Sequence, residues 1–146
     1  MNRLSSRGFS LVELAITLVV LGLLLAFSIP AFQSYSTTQN LKGATVNIAS
    51  QLRIMREVSI GTGTTQTMHF FYGTLGGDYH IHNGAIVGGT WSLPRNITYN
   101  WAAGTNSVII STSDGRMPSS GMIIVQDNRG NLDTVSVLAS GLVLTK

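Results

Sequence analysis

RGFSLVELAITLVVLGLLLAFSIPAF, residues 7–32, is the stretch on which the reading of this chain turns. From Leu14 to Ile29 no residue is charged, and only Thr17 and Ser28 carry polar side chains. Over the whole of 9–32 the single charge is Glu13, while the basic residues Arg3 and Arg7 stand before the run. A helix rises about 1.5 Å per residue, so roughly 20 apolar residues cross a bilayer core of about 30 Å. The length therefore predicts a membrane-crossing helix, and the acid inside it needs a reason.

Three readings compete for the segment. A cleaved secretory signal has a short apolar core of about 7 to 15 residues and then a small-x-small cleavage site. This run is longer, and Ser28-Ile29-Pro30 is a poor site. A plain signal anchor accounts for the length, and Arg3 and Arg7 would stay in the cytoplasm. It leaves Glu13 unexplained, because an acid costs about 2.5 to 3.5 kcal/mol at the centre of a membrane helix, though less near the interface. The third reading is a processed anchor whose helix goes on to do work.

Arg7-Gly8 followed by Phe9-Ser10-Leu11-Val12-Glu13 resembles the class III signal of type IV pilins and type II secretion pseudopilins. The resemblance implies a basic leader, residues 1–8, cut after Gly8 by a prepilin peptidase on the cytoplasmic side. It also implies N-methylation of the new N-terminal residue, Phe9. Glu13 and Pro30 both fall at the family's spacing for its glutamate and its helix-kinking proline. In the family reading, Glu13 of an incoming subunit pairs with the N-terminal amine of a neighbour and guides register. The competing account is a carboxylate that reaches to the cytoplasmic headgroups.

After Pro30, which kinks or ends helices because it lacks an amide hydrogen, a second pattern begins. Leu41, Thr45, Ile48, Leu52 and Met55 recur at helical steps and form one stripe of an amphipathic helix across 33–60. Gly61 and Gly63 supply its stop. The expectation is a helix from about Phe9 to Ile60, with 9–32 in the membrane or the assembly and the stripe packed on a domain spanning 33–146.

Beyond Gly63 the period changes to two, with turn residues between short runs. Strands are expected at Thr64–Tyr72, Asp78–His82, Ile97–Asn100, Ser107–Ser111, Gly121–Asp127, Thr134–Leu138 and Leu142–Thr145. The breaks are Gly76-Gly77, Gly88-Gly89, Asn128-Arg129-Gly130-Asn131 and Ser140-Gly141. The fold class is α+β: one long N-terminal helix packed on antiparallel sheets. Trp91 and Trp101 are expected in the core or at a partly covered rim.

Several segments of the C-terminal third resemble the GspH/FimT branch of minor pseudopilins and minor pilins. They are Val108-Ile109-Ile110, Asp114-Gly115-Arg116, Gly121–Val125, Val135–Val137 and Ser140-Gly141-Leu142-Val143-Leu144. DNA-uptake members of that branch carry arginines in the closing strand. The matching positions here are Leu142 and Leu144, which offer phosphate neither a donor nor counterion release. Lys146 is the nearby cation, and Arg53, Arg56, Arg95, Arg116 and Arg129 are scattered among acids.

Composition narrows the classes further. Only 10% of residues are charged, and Arg3 and Arg7 supply two of the net +3, so no basic field points to nucleic acid. With no cysteine, disulfides and thiolate metal sites are excluded. His80 and His82 share a strand face and could join His69 or Asp78 around a metal, but two imidazoles without a spaced third ligand read as strand surface. Gly61-x-Gly63 follows a helix and has no Lys-Ser/Thr, so it is no phosphate loop. Asp127–Asn131 lacks the alternate acids of a calcium loop and reads as a hairpin turn.

The expected protein is thus a minor pilin or pseudopilin with no enzymatic activity, cofactor or metal. It would be single-pass in the inner membrane with its domain in the periplasm, and would join a type II secretion pseudopilus or a type IV pilus tip. Its partners would be the prepilin peptidase and other minor and major pilins or pseudopilins. The alternatives are a DNA-binding minor pilin and a membrane-anchored periplasmic binding module that never polymerises.

Overall fold

The computed structural model describes residues 9–71, 78–83 and 86–146, with only the backbone of 86–87. The leader with Gly8, the expected Gly76-Gly77 break and Tyr72 lie outside the described residues. The chain divides into two compact units, Met1–Ser36 and Thr37–Lys146. One helix, α1 (Leu11–Thr62), contributes to both and runs through Pro30 without ending there.

Within the second unit, the stripe read from sequence is the buried face of α1. Leu41, Thr45, Ile48, Leu52 and Met55 are all buried, joined by Ala44, Ala49 and Ser59. Small side chains beside large ones let the sheets approach the helix closely. Each fully buried Leu or Ile stabilises the fold by about 1.5 to 3 kcal/mol through removal from water. Gly63 ends the helix in the left-handed region at φ 65°. Its N–H donates to the Ile60 carbonyl, and that of Thr64 donates to Ser59, the paired closure that satisfies carbonyls orphaned at a helix end.

Eight strands follow: β1 (Gln66–Phe70), β2 (Tyr79–Asn83), β3 (Ile86–Trp91), β4 (Ile97–Tyr99), β5 (Val108–Ser111), β6 (Gly121–Asp127), β7 (Leu132–Val137) and β8 (Val143–Thr145). They form two four-stranded sheets, ordered β3-β2-β1-β5 and β4-β6-β7-β8, with every pair antiparallel. Met68 and Phe70 of β1, Tyr79 and Ile81 of β2, Ile109 of β5, Ile123 and Val125 of β6 and Val135 and Val137 of β7 meet the α1 stripe in one core. Trp91 and Trp101 pack, partly buried, against it, as the rim reading expected.

The seven expected strands are present, Gly121–Asp127 with the bounds expected and the others with shifted ends, and β3 is an eighth. Gly88-Gly89 is not a break but lies within β3. The register slips there, with Ile81 opposite Gly89 and His82 opposite Val87, which leaves Gly88 as the extra residue of a bulge. Gly89 leaves room for a ring: a β-carbon on it would stand 2.5 Å from the Trp91 ring, which would have to shift. Glycine in a strand marks a bulge or a close approach, and both occur here.

Four side-chain hydrogen bonds fasten α1 to the sheets. Thr45 Oγ1 donates to Asp133 Oδ2 at 2.9 Å, and Ser59 Oγ and Ser111 Oγ share a buried bond of 2.7 Å. Arg53 reaches the Val143 carbonyl at 3.0 Å, and Arg56 Nε reaches that of Gly115 at 2.9 Å. These partners come from β7, β5, β8 and the turn after β5, so the helix ties both sheets.

Candidate functional site

The first helical turn is built around Ser10. Its carbonyl accepts the Leu14 N–H at 3.1 Å and its Oγ accepts the Val12 N–H at 3.3 Å, so Ser10 is the N-cap. Glu13 then occupies the third helical position, in the first turn. A carboxylate there faces the unpaired N–H groups and the positive end of the helix dipole. Ser10-x-x-Glu13 has the spacing of a capping box, a signal that was readable in the sequence and was missed. Glu13 accordingly has a local reason to sit at the helix start as well as any reason in assembly.

Phe9 stands one residue before the cap and is 68% exposed. In a chain cut after Gly8, its amine would lie at the same helix end as Glu13, where a cation is poorly placed against its own dipole. Arg116 pairs with Asp114 at 3.3 Å, and no ion pair found among the described residues involves Glu13.

Every residue from 9 to 33 is exposed. Leu11, Leu18, Leu24, Phe27 and Phe32 present apolar surface all round this part of α1. A helix apolar on every face requires lipid or protein around it. The two hydroxyls in the run do not oppose that: Thr17 donates to the Leu14 carbonyl at 2.8 Å and Ser28 to that of Leu24 at 2.7 Å. Pro30 has no N–H for the Ala26 carbonyl, but the helix persists on both sides. By length and composition α1 is the described helix able to cross a membrane.

Elsewhere the structure sorts the weaker candidates. Leu142 and Leu144 are exposed, half of each in solvent, while Arg53, Arg56 and Arg116 are engaged with Val143, Gly115 and Asp114. Asp127 is a turn residue: its Oδ1 accepts the N–H groups of Arg129 and Asn131, and its Oδ2 the Asn131 amide. The Asn131 side-chain bond, with the backbone donors adding, holds its carboxyl below the usual range.

The fold does bring His69, named from sequence as a possible third ligand, opposite His80. The rings stack nearly parallel, however, with interplanar angles of 11° and 20° for His69 against His80 and His82. Lone pairs lie in the ring planes, so stacked imidazoles do not aim at one point. Among the described residues no group of three or more His, Asp or Glu is arranged to hold a metal ion.

Residues 3–29 match the prokaryotic N-terminal methylation motif, which covers Gly8, Phe9 and Glu13. The fold aligns with a crystal structure of the Pseudomonas aeruginosa type IV minor pilin FimU, with a TM-score of 0.55 at 13% identity, over 77% of this chain and 92% of that one. The fold is pilin-like, and it follows a matched N-terminal methylation motif. A second crystal form of FimU aligns at a TM-score of 0.51, again at 13% identity, over 73% of this pilin-like chain and 92% of that one. No curated protein matches the sequence. The bare apolar part of α1 is the surface that needs lipid or protein around it.

Proposed function

We propose that the chain is a minor pilin or pseudopilin subunit of the GspH/FimT kind, a structural component and not an enzyme. It enters the inner membrane as a precursor, with its domain in the periplasm. Prepilin peptidase then cuts it after Gly8, Phe9 is N-methylated, and the apolar helix carries the subunit into a type II secretion pseudopilus or a type IV pilus tip. The observation that carries this reading is the combination at the start of α1: a matched methylation motif, an apolar surface exposed on every side, and one acid at Glu13. In a dry assembly a lone carboxylate needs a cation, and the methylated amine of a neighbouring subunit has the right charge. Pro30 relieves the helix of one backbone bond between the membrane part and the domain.

A DNA-capturing role is disfavoured, because Leu142 and Leu144 put apolar surface where phosphate contacts would need cations. A non-polymerising membrane-anchored module would need neither the cut nor the acid.

Mass spectrometry of membrane-extracted protein tests the first step, with a chain beginning at N-methyl-Phe9 expected and an intact Met1 start refuting it. Glu13→Ala tests the second. Processing should continue while the subunit disappears from sheared filaments and crosslinked tip complexes; unchanged incorporation would remove Glu13 from the mechanism.

A further inference from the structure

The outer face of the β1–β2 pair holds three imidazoles to which assembly through α1 gives no work. His69 and His80 are direct cross-strand partners, and His82 lies two residues along β2 on the same face. Ring centroids are 5.3 Å apart for His69 and His80, 4.8 Å for His69 and His82, and 5.5 Å for His80 and His82. Phe71 closes one side, edge-on to His80 at 4.9 Å. His80 is buried, and its Nδ1 has no hydrogen-bond partner among the described residues.

Neutral rings can stack this closely, whereas imidazolium cations at these separations repel. Few charged side chains among the described residues are placed to offset such charge. β1, β3 and β5 contain no Asp, Glu, Lys or Arg, and neither do the connecting residues 71–77 and 84–85. Asp78 is the one acid that strand alternation puts on this face, and its Oδ2 is turned to the Leu93 N–H at 2.6 Å. α1 packs on the opposite face of the sheet, where Arg53 and Arg56 bind carbonyls and Glu57 is exposed beside them. Tyr79 of β2 points into the core.

We propose that His69, His80 and His82 form a proton-sensitive stack that holds the β1–β2–β3 corner together when neutral and loosens it on acidification. Burial, with the neighbouring imidazoles adding, holds His69 and His80 below the ordinary imidazole value of 6.5. The unfolded strands therefore take up protons more readily than the folded ones as pH falls below that value. Stability of the corner is complete above it and declines through the window beneath it.

Hydrogen exchange read by mass spectrometry on the full chain in detergent micelles tests this, at about pH 7.5 and about pH 5.5, after correction for intrinsic rates. Peptides covering β1 and β2 should open on the order of tenfold more often at the lower pH, while the β6–β7 hairpin keeps its protection. The triple variant His69→Gln, His80→Gln, His82→Gln should lose the pH response. If that variant does not fold, His82→Gln alone should reduce it. Equal protection of β1–β2 at both pH values, parallel loosening of β6–β7, or a response kept in the variant would overturn the proposal.

Discussion

Gly115 and Gly141 touch so closely that a β-carbon on Gly141 would stand 2.2 Å from the Gly115 carbonyl oxygen. Both residues are in the left-handed region, at φ 77° and 83°. The same carbonyl accepts Arg56 Nε at 2.9 Å, and nearby the Met117 N–H donates to the Ala139 carbonyl at 3.0 Å. One point therefore joins the turn after β5, the β7–β8 turn and α1, two sheets and the helix together.

Gly141→Ala combines a strained backbone with a collision against backbone, which cannot rotate away. It should cost at least about 2 kcal/mol. Gly130→Ala is the control, because φ is 84° there but the space around its α-carbon is open. That change carries only the left-handed penalty, about 1 to 2 kcal/mol. Chemical denaturation of the two variants compares them, and equal costs would show that the contact with Gly115 does not matter.

Leu52 and Ile54 lie two residues apart on α1 but on different faces, Leu52 with no exposure and Ile54 45% exposed. Leu52→Ala should destabilise by about 2 to 5 kcal/mol through lost transfer energy and the cavity it leaves. Ile54→Ala should cost about 0.5 kcal/mol or less. Thermal unfolding of both variants decides whether the buried face is the one assigned.

Gly89→Ala should push the Trp91 ring off its position, since the new carbon would meet two ring atoms at 2.5 and 2.8 Å. Trp91 stacks on Tyr79 with centroids 5.6 Å apart, so the near-ultraviolet circular dichroism of that pair should weaken. The lost stacking is worth about 0.5 to 1.5 kcal/mol. Gly88→Ala, whose added carbon would meet the Ile81 carbonyl at an ordinary 3.5 Å, should leave the signal intact.

Among the described residues, Tyr79 and Tyr99 are the buried tyrosines. Burial first and then the Asp78 carboxylate push the Tyr79 phenol up to about 12; burial drives Tyr99 upward as well. A folded value raised above the ordinary 10.0 means that the native state keeps protons the unfolded chain would release. Stability is then undiminished below pH 10 and falls as pH rises toward 12. In an ultraviolet titration, Tyr79 and Tyr99 should ionise only as the domain unfolds. Reversible ionisation of Tyr79 and Tyr99 near the ordinary value in the folded domain would contradict the burial.

Local patterns carried the parts of this structure that depend on one segment at a time. The apolar run with its single acid, and the stripe from Leu41 to Met55, were legible because helix periodicity and hydrophobicity are properties of neighbouring residues. The strand β3 was not, because Gly88-Gly89 looks the same whether it serves a turn or makes room for a bulge and the Trp91 ring. Likewise His69 joined His80 and His82 only through strand register, which no spacing along the chain announces.

The sequence by itself determined that residues 9–32 form an apolar run, that Glu13 is the lone charge in it, and that a stripe farther on must be covered. Only the tertiary structure decided what covers that stripe and that Gly115 meets Gly141 beneath Arg56. The physical reason is range. Solvation and helical period act between residues a few positions apart, whereas sheet register and close backbone contact arise only when distant segments pack together.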